Sequence, residues 1–306
     1  MQRTVCNLTS FSEFSVNVNR CGLDVRAAPH VTLSMSTRNR HSALVPFFTP
    51  PTGESPALVF QPVEGVESRP TPGLNYYGAC RPAGKSTGDF FEFLPLDGRR
   101  LLASIGETPG PGVSPNAVTA AVRTHFRDII TGGPDALAVA ASRLNRALCE
   151  VASAGSLTML FCACIDPLRR VLRYLSAGYE SALLFRADGR RAHRLEPTGT
   201  VLGLTSKAVY RQHTVGLSPG DLLIAFTGGV ADAADRTGCV LGEAGVVEVL
   251  RDHRDDPPPV LVERILDTVA RYCGGAGQPA DQTVLAVRFA GSAGSLNEDR
   301  LAFAAA

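Results

Sequence analysis

Residues 86 to 107, "STGDFFEFLPLDGRRLLASIGE", set Asp89 at the start of one apolar run and Glu107 at the end of the next, with "LDGR" between them as a turn signal. A hairpin built this way brings its two open ends together, so the two carboxylates meet across neighbouring strands. Taken alone, Asp89 after Thr87 and Gly88 reads as a turn aspartate; Glu107 at the neighbouring strand end changes that reading. Two acids that converge without a basic partner call for a cation or for a raised pKa. Hard oxygen ligands favour Mg²⁺ or Mn²⁺ over zinc.

The elements that must position these acids follow from the apolar spacing. Residues 1 to 70 mix Ser, Thr, Asn and Pro, and "VPFFTPPTGESP" breaks any period, so this arm reads as largely disordered or irregular. From residue 71 onward, strand-length runs "LNYYGAC", "DFFEFLPL" and "RLLASIG" are separated by turns. The period then lengthens. Val118, Val122, Phe126 and Ile129 recur at helical spacing, and so do Leu137, Ala141, Leu144, Leu148 and Val151. Five further strand-like runs follow, from "LTMLFCACID" to "DLLIAFTG"; a helix from about Pro258 to Cys273 and a last strand, "TVLAVRF", close the pattern. The expected organisation is an arm over 1–70, one domain over 71–291 and a flexible tail over 292–306. Strands, two helices, many strands, one helix and one strand fit an α+β sandwich of two antiparallel sheets with helices outside, not a βαβ repeat.

Composition narrows the function classes. The 306 residues carry 30 basic and 29 acidic side chains, interspersed along the chain, which leaves no electrostatic case for a nucleic-acid partner. Of the eight cysteines none forms a CxxC pair, and Cys162 and Cys164 alternate as packing residues of a strand. No apolar run approaches the ~20 residues of a membrane span, and the first residues show no basic-then-apolar leader, so the expectation is a cytoplasmic protein without a membrane partner.

The segment "PGLNYYGACRPAGKSTGDFFEFLPLDGRRLLASIGETPGPGVSPNAV" resembles the opening of the SpoIIE-type branch of the PPM (PP2C-like) protein-serine/threonine phosphatases, with its G-G-D and I-G-D-V-S-G-K-G signatures. In the same order, "LTMLFCACIDPLRRVLRYLSAGYESALLFRADG", "GTVLGL", "SPGDLLIAFTGGVADA" and "ADQTVLAVRF" resemble that family's later motifs, the last two its T-D-G and D-D-x-T segments. The resemblance spans residues 72 to 290 and implies an αββα sandwich. It also implies two metal ions that bind a phosphate and activate a bridging water.

Carried over residue by residue, the acid shared by both ions is Asp89, and the first-ion acid becomes Glu107, one methylene longer. Thr108, the next residue, completes that end of the ligand set. The two acids of the second ion fall on Gly228 and Ala280, neither of which can coordinate. Two replacements are conceivable. Asp232 follows Gly228 by four residues and shares its face if a helix begins there. Asp281 adjoins Ala280, on the opposite side of a regular strand. Prolines 109 and 111 stiffen the loop after Glu107, and Ser176 and Tyr179 stand where the family pattern has Asn and His.

The resemblance therefore implies one Mg²⁺ or Mn²⁺ site, with the second deprived of its acids. The expected function is a catalytically impaired regulator that binds a phosphorylated protein of the anti-sigma-factor antagonist type in partner-switching signalling. The alternative is an active Mg/Mn-dependent phosphoserine/phosphothreonine phosphatase working through an altered site at Asp89, Glu107 and one of Asp232 and Asp281. A third reading keeps only the fold, as a metal-independent scaffold.

Overall fold

The computed structural model describes residues 71–84, 88–96, 99–109, 115–126, 136–151, 157–187, 192–275 and 278–291. The arm expected over 1–70 and the tail expected over 292–306 lie outside the described residues. Among the described residues, ten strands form two antiparallel five-stranded sheets. The first sheet orders β1 (Leu74–Arg81), β10 (Gln282–Phe289), β9 (Leu222–Phe226), β6 (Ala182–Phe185) and β7 (Ala192–Arg194). The second orders β2 (Asp89–Pro95), β3 (Leu101–Glu107), β4 (Met159–Asp166), β5 (Val171–Ala177) and β8 (His213–Gly216).

Helices cover both outer faces. Val118, Val122 and Phe126 of α1 (Pro115–Phe126) and Leu137, Ala141 and Leu144 of α2 (Ala136–Val151) pack with Leu102, Leu160 and Cys162 on the second sheet. On the first sheet, Leu261, Ile265 and Val269 of α5 (Pro258–Cys273) pack with Ile224, Val284 and Ala286, joined by Val230 of α3 (Gly228–Ala231) and Val246 of α4 (Gly242–Asp252). The inward faces of the sheets meet in a third core of residues such as Tyr76, Phe93, Ile105, Phe161, Leu184 and Leu285. This is the expected αββα sandwich.

The middle strands are apolar on both faces because both faces are covered: β9 is buried at every position, and β3 at every position before Glu107. Such strands read as continuous runs, which is why the sequence marks them so clearly. Cys162 and Cys164 are buried packing residues of β4, as the alternation predicts. The edge strands β7 and β8 are short and mostly exposed, a form that discourages pairing with other chains.

The last helix runs over the expected residues. Pro258 occupies its first turn, where a missing N–H is harmless, and Gly274 ends it at φ +54°, a left-handed conformation that glycine adopts without steric penalty. Helix α4 and strand β7 are additions to the expected pattern. Val246 and Leu250 do recur at helical spacing in α4, but Gly242 and Gly245 interrupt the signal at its start. Strand β7 has three residues and is too short to show a period.

Candidate functional site

Asp89 opens β2 and Glu107 closes β3, and the two are direct partners in the antiparallel register. The hairpin thus does what its length predicts. Asp89 is only 8% exposed. Its Oδ2 accepts hydrogen bonds from the hydroxyls of Thr227 (2.6 Å), just past β9, and Thr283 (2.8 Å), in β10 of the opposite sheet, so the acid links both layers at their common edge. The two threonines are tied together as well, because the Thr283 N–H donates to Thr227 Oγ1 at 3.0 Å. Neither threonine stands out by spacing in the sequence. Their signal is positional: one directly precedes Gly228 and the other lies three residues past Ala280.

Glu107 is half-buried and its Oε1 accepts the Gly228 N–H at 2.9 Å. A β-carbon on Gly228 would stand 3.5 Å from Glu107 Oε2 and 3.3 Å from Asp232 Oδ2. Glu107 and Asp232 therefore flank the space that a side chain at position 228 would enter. Helix α3 brings Asp232 there: its single turn ends at Asp232, whose N–H donates to the Gly228 carbonyl at 2.8 Å. Among the described residues neither Glu107 nor Asp232 has a cationic partner.

Asp281 is differently employed. The expectation that it points away from Ala280 by strand alternation does not apply, because β10 begins only at Gln282. Its Oδ1 accepts the Ala83 N–H at 2.8 Å and its Oδ2 the Gly88 N–H at 2.7 Å, so the carboxylate is tied to Ala83 and to Gly88, the residue before Asp89. The backbone around it is tight: a β-carbon on Gly229 would lie 1.9 Å from the Asp281 carbonyl oxygen, so only glycine fits there. Ala280 is exposed and offers no ligand. Thr108 is buried; its N–H donates to Gly88 O at 2.8 Å and its hydroxyl lies 3.3 Å from that of Thr158. Replacing Asp281 by alanine removes the carboxylate acceptor of the part-buried Gly88 amide and of the exposed Ala83 amide, and is expected to lower unfolding stability by about 2 kcal/mol, as read by urea denaturation.

Electrostatically the acids form a row. Burial pushes the Asp89 carboxyl up to about 7 against the pull of its two threonine hydroxyls, and the charges of Glu107 and Asp281 add to the rise. Burial also raises Glu107, opposed by the Gly228 amide and reinforced by Asp232. Asp281, Asp89, Glu107 and Asp232 thus follow one another along the edge. Among the described residues, no three His, Cys, Asp or Glu side chains are gathered as a metal cluster.

The family model for Stage II sporulation protein E (SpoIIE) matches residues 97–290. The chain belongs to the SpoIIE family. Glu107, Asp232 and Asp281 lie within the matched residues, and Asp89 precedes them. This SpoIIE-family chain is 22% identical over 218 residues to the phosphoserine phosphatase RsbU of Bacillus subtilis, covering 71% of this chain and 64% of RsbU. It spans less than two thirds of that relative's length. Among solved structures, the SiaA-PP2C domain of Pseudomonas aeruginosa superposes with a TM-score of 0.60 at 26% identity, over 70% of this chain and 85% of that domain. The PP2C phosphatase domain with a regulatory fragment of SpoIIE from Bacillus subtilis superposes with a TM-score of 0.59 at 17% identity, over 70% and 62%. The likeness confirms the PP2C-type sandwich. No helix among the described residues is long and apolar enough to cross a membrane.

Proposed function

We propose that this SpoIIE-family chain binds a phosphorylated protein of the anti-sigma-factor antagonist type at the edge formed by Asp89, Glu107 and Asp232, through one Mg²⁺ or Mn²⁺ ion, with turnover strongly impaired. The observation that supports this reading is the disposition of Glu107 and Asp232 on either side of the side-chain space above Gly228. Carboxylate oxygens suit a hard cation, and Mg²⁺ commonly sits on one or two carboxylates with water completing its shell. A single hydrated ion beside Glu107, with Asp89 and Asp232 as neighbours, fits this donor set. A second ion does not: the Ala280 side supplies no acid, and Asp281 is committed to two backbone amides. Thr108 contributes to that end through its backbone, next to Glu107.

A bound divalent cation supplies Lewis-acid polarisation of a phosphoryl oxygen and lowers the pKa of its water. The chain's own residues do the rest. Thr227 and Thr283 hold Asp89 in one orientation, the Gly228 amide holds Glu107, and Asp281 holds the Gly88 amide next to Asp89.

The active-phosphatase reading keeps one specific support, the Asp232 carboxylate 3.3 Å from where a β-carbon at position 228 would stand. Titrating Mn²⁺ into the full chain by calorimetry separates the two. One site per chain, with hydrolysis of 4-nitrophenyl phosphate near background, is the expected result. Two sites with Mn²⁺-dependent hydrolysis establish the active enzyme, and no Mn²⁺ uptake leaves the scaffold.

A further inference from the structure

Of the six large aliphatic side chains exposed among the described residues, three belong to one outer layer of the sandwich. Val139 (48% exposed) is on α2, and Leu204 (57%) and Val209 (73%) are in the segment between β7 and β8. That segment lies alongside the helix. The buried Asn145 of α2 donates from Nδ2 to Thr205 O at 2.9 Å and accepts the Gly203 N–H at 2.9 Å. Farther along, the Leu137 N–H donates to Gln212 Oε1 at 3.1 Å, and Ala208 packs against the core that α2 covers. The face is thus built in advance, so docking on it costs little ordering.

Its charge has one sign. Val139, Arg143 and Arg146 share the exposed stripe of α2, and Lys207 and Arg211 are exposed in the adjoining segment. Glu150 is the one acid of α2, and residues 199–217 contain none. Among the described residues, Arg146, Lys207 and Arg211 have no carboxylate partner. Over the other sheet, α4 and α5 carry five acidic and three basic side chains, so the two helical layers differ in sign. The basic face also reaches the acid edge. Leu202, two residues before Leu204, exchanges both backbone hydrogen bonds with Thr158, at 3.0 and 2.9 Å. The Thr158 hydroxyl lies 3.3 Å from that of Thr108, the neighbour of Glu107.

We infer that the face formed by α2 and residues 203–212 docks the acidic surface of the phosphorylated protein whose phosphate the edge receives. The identity of that protein rests on the proposed reading of the edge; the chemistry of the docking does not. Aliphatic side chains with arginines among them suit a protein interface, and cations of one sign select an acidic partner and speed its encounter. They also offset the repulsion that Asp89, Glu107, Asp232 and Asp281 exert on such a partner. A second copy is disfavoured, because a two-fold contact sets these cations against themselves. Two valines and a leucine offer a bilayer none of the aromatic anchors of an interfacial helix.

The test titrates an acidic, serine-phosphorylated anti-sigma-factor antagonist, and its unphosphorylated form, into the full chain with Mn²⁺ by calorimetry. Wild type is compared with a charge reversal, Arg146→Glu with Lys207→Glu and Arg211→Glu, and with an apolar change, Leu204→Ser with Val209→Ser. Both antagonist forms are expected to bind each variant at least about tenfold more weakly than the wild type. Mn²⁺ affinity and the urea midpoint should stay as in the wild type, since every changed side chain is exposed. Added salt should weaken wild-type binding and leave that of the charge reversal nearly flat. Equal affinities for all three proteins overturn the inference while the edge reading stands. Equal affinities together with wild-type retention on phosphatidylglycerol vesicles, lost in the charge reversal, give the face to a membrane instead. A phosphorylated form that binds the wild type no more tightly than the unphosphorylated one removes the edge reading and leaves the docking face. A wild type that binds neither form removes both.

Discussion

Metal-free Asp89→Asn unfolds at a higher denaturant concentration than the wild type at pH 8, and the advantage vanishes near pH 4. Burial raises the Asp89 carboxyl from 3.8 to about 7 in the folded protein. Between those values the folded chain holds the proton that the unfolded chain releases, so wild-type stability falls as pH rises from about 4 through 7. Three pKa units correspond to about 4 kcal/mol at pH 8. Glu107 shifts in the same direction and adds to the slope. Asparagine keeps an oxygen for the Thr227 and Thr283 hydroxyls and carries no charge to bury. Divalent cation reverses the order: Mn²⁺ stabilises the wild type by mass action and leaves Asp89→Asn unmoved. Urea denaturation in chelator at pH 5, 6, 7 and 8, repeated with Mn²⁺, checks both halves. Parallel pH profiles for the two proteins, or a variant that Mn²⁺ still stabilises, would falsify the assignment.

The double change Gly228→Asp with Ala280→Asp restores acids at both positions where the family pattern carries them, and it is expected to raise Mn²⁺-dependent hydrolysis of 4-nitrophenyl phosphate by on the order of a hundredfold. A charge pair at 4 Å contributes about 4 kcal/mol at an effective dielectric near 20, and more with a divalent ion, so two added carboxylates shift the affinity for a second ion by orders of magnitude. Ala280 is exposed and accepts the larger side chain. Gly228 is tighter: the new β-carbon stands 3.3 Å from Asp232 Oδ2 and 3.5 Å from Glu107 Oε2. The metal-free double variant is therefore less stable than the wild type, and Mn²⁺ restores it. A wild type that already matches the double variant in rate would show that Asp232 substitutes fully for the acid missing at position 228.

The run order, the helical spacing around Val118 and Leu137 and the acids at the ends of the β2–β3 hairpin determine much of this protein from its sequence alone. Strand pairing inside a hairpin is local, so the register of Asp89 with Glu107 follows from two apolar runs and one turn. Continuous apolar strands and amphipathic helices likewise announce two covered sheets, because burial on one face or both dictates the period. The signal weakens where elements are short or glycine-rich, as at β7 and at the start of α4.

Which side chains meet at the edge was decided by the tertiary structure. Thr227 and Thr283 reach Asp89 from the opposite sheet, Asp232 turns toward Glu107 at the end of a single helical turn, and Asp281 turns to the amides of Ala83 and Gly88. Asp232 and Asp281 look alike in the sequence, each an acid near a vacated ligand position. They separate because one ends a helical turn that faces the edge, whereas the other precedes a strand and accepts the amides of Ala83 and Gly88, nearly two hundred residues away along the chain. The aim of a carboxylate depends on pairings far apart in sequence, and spacing along one chain carries no record of them.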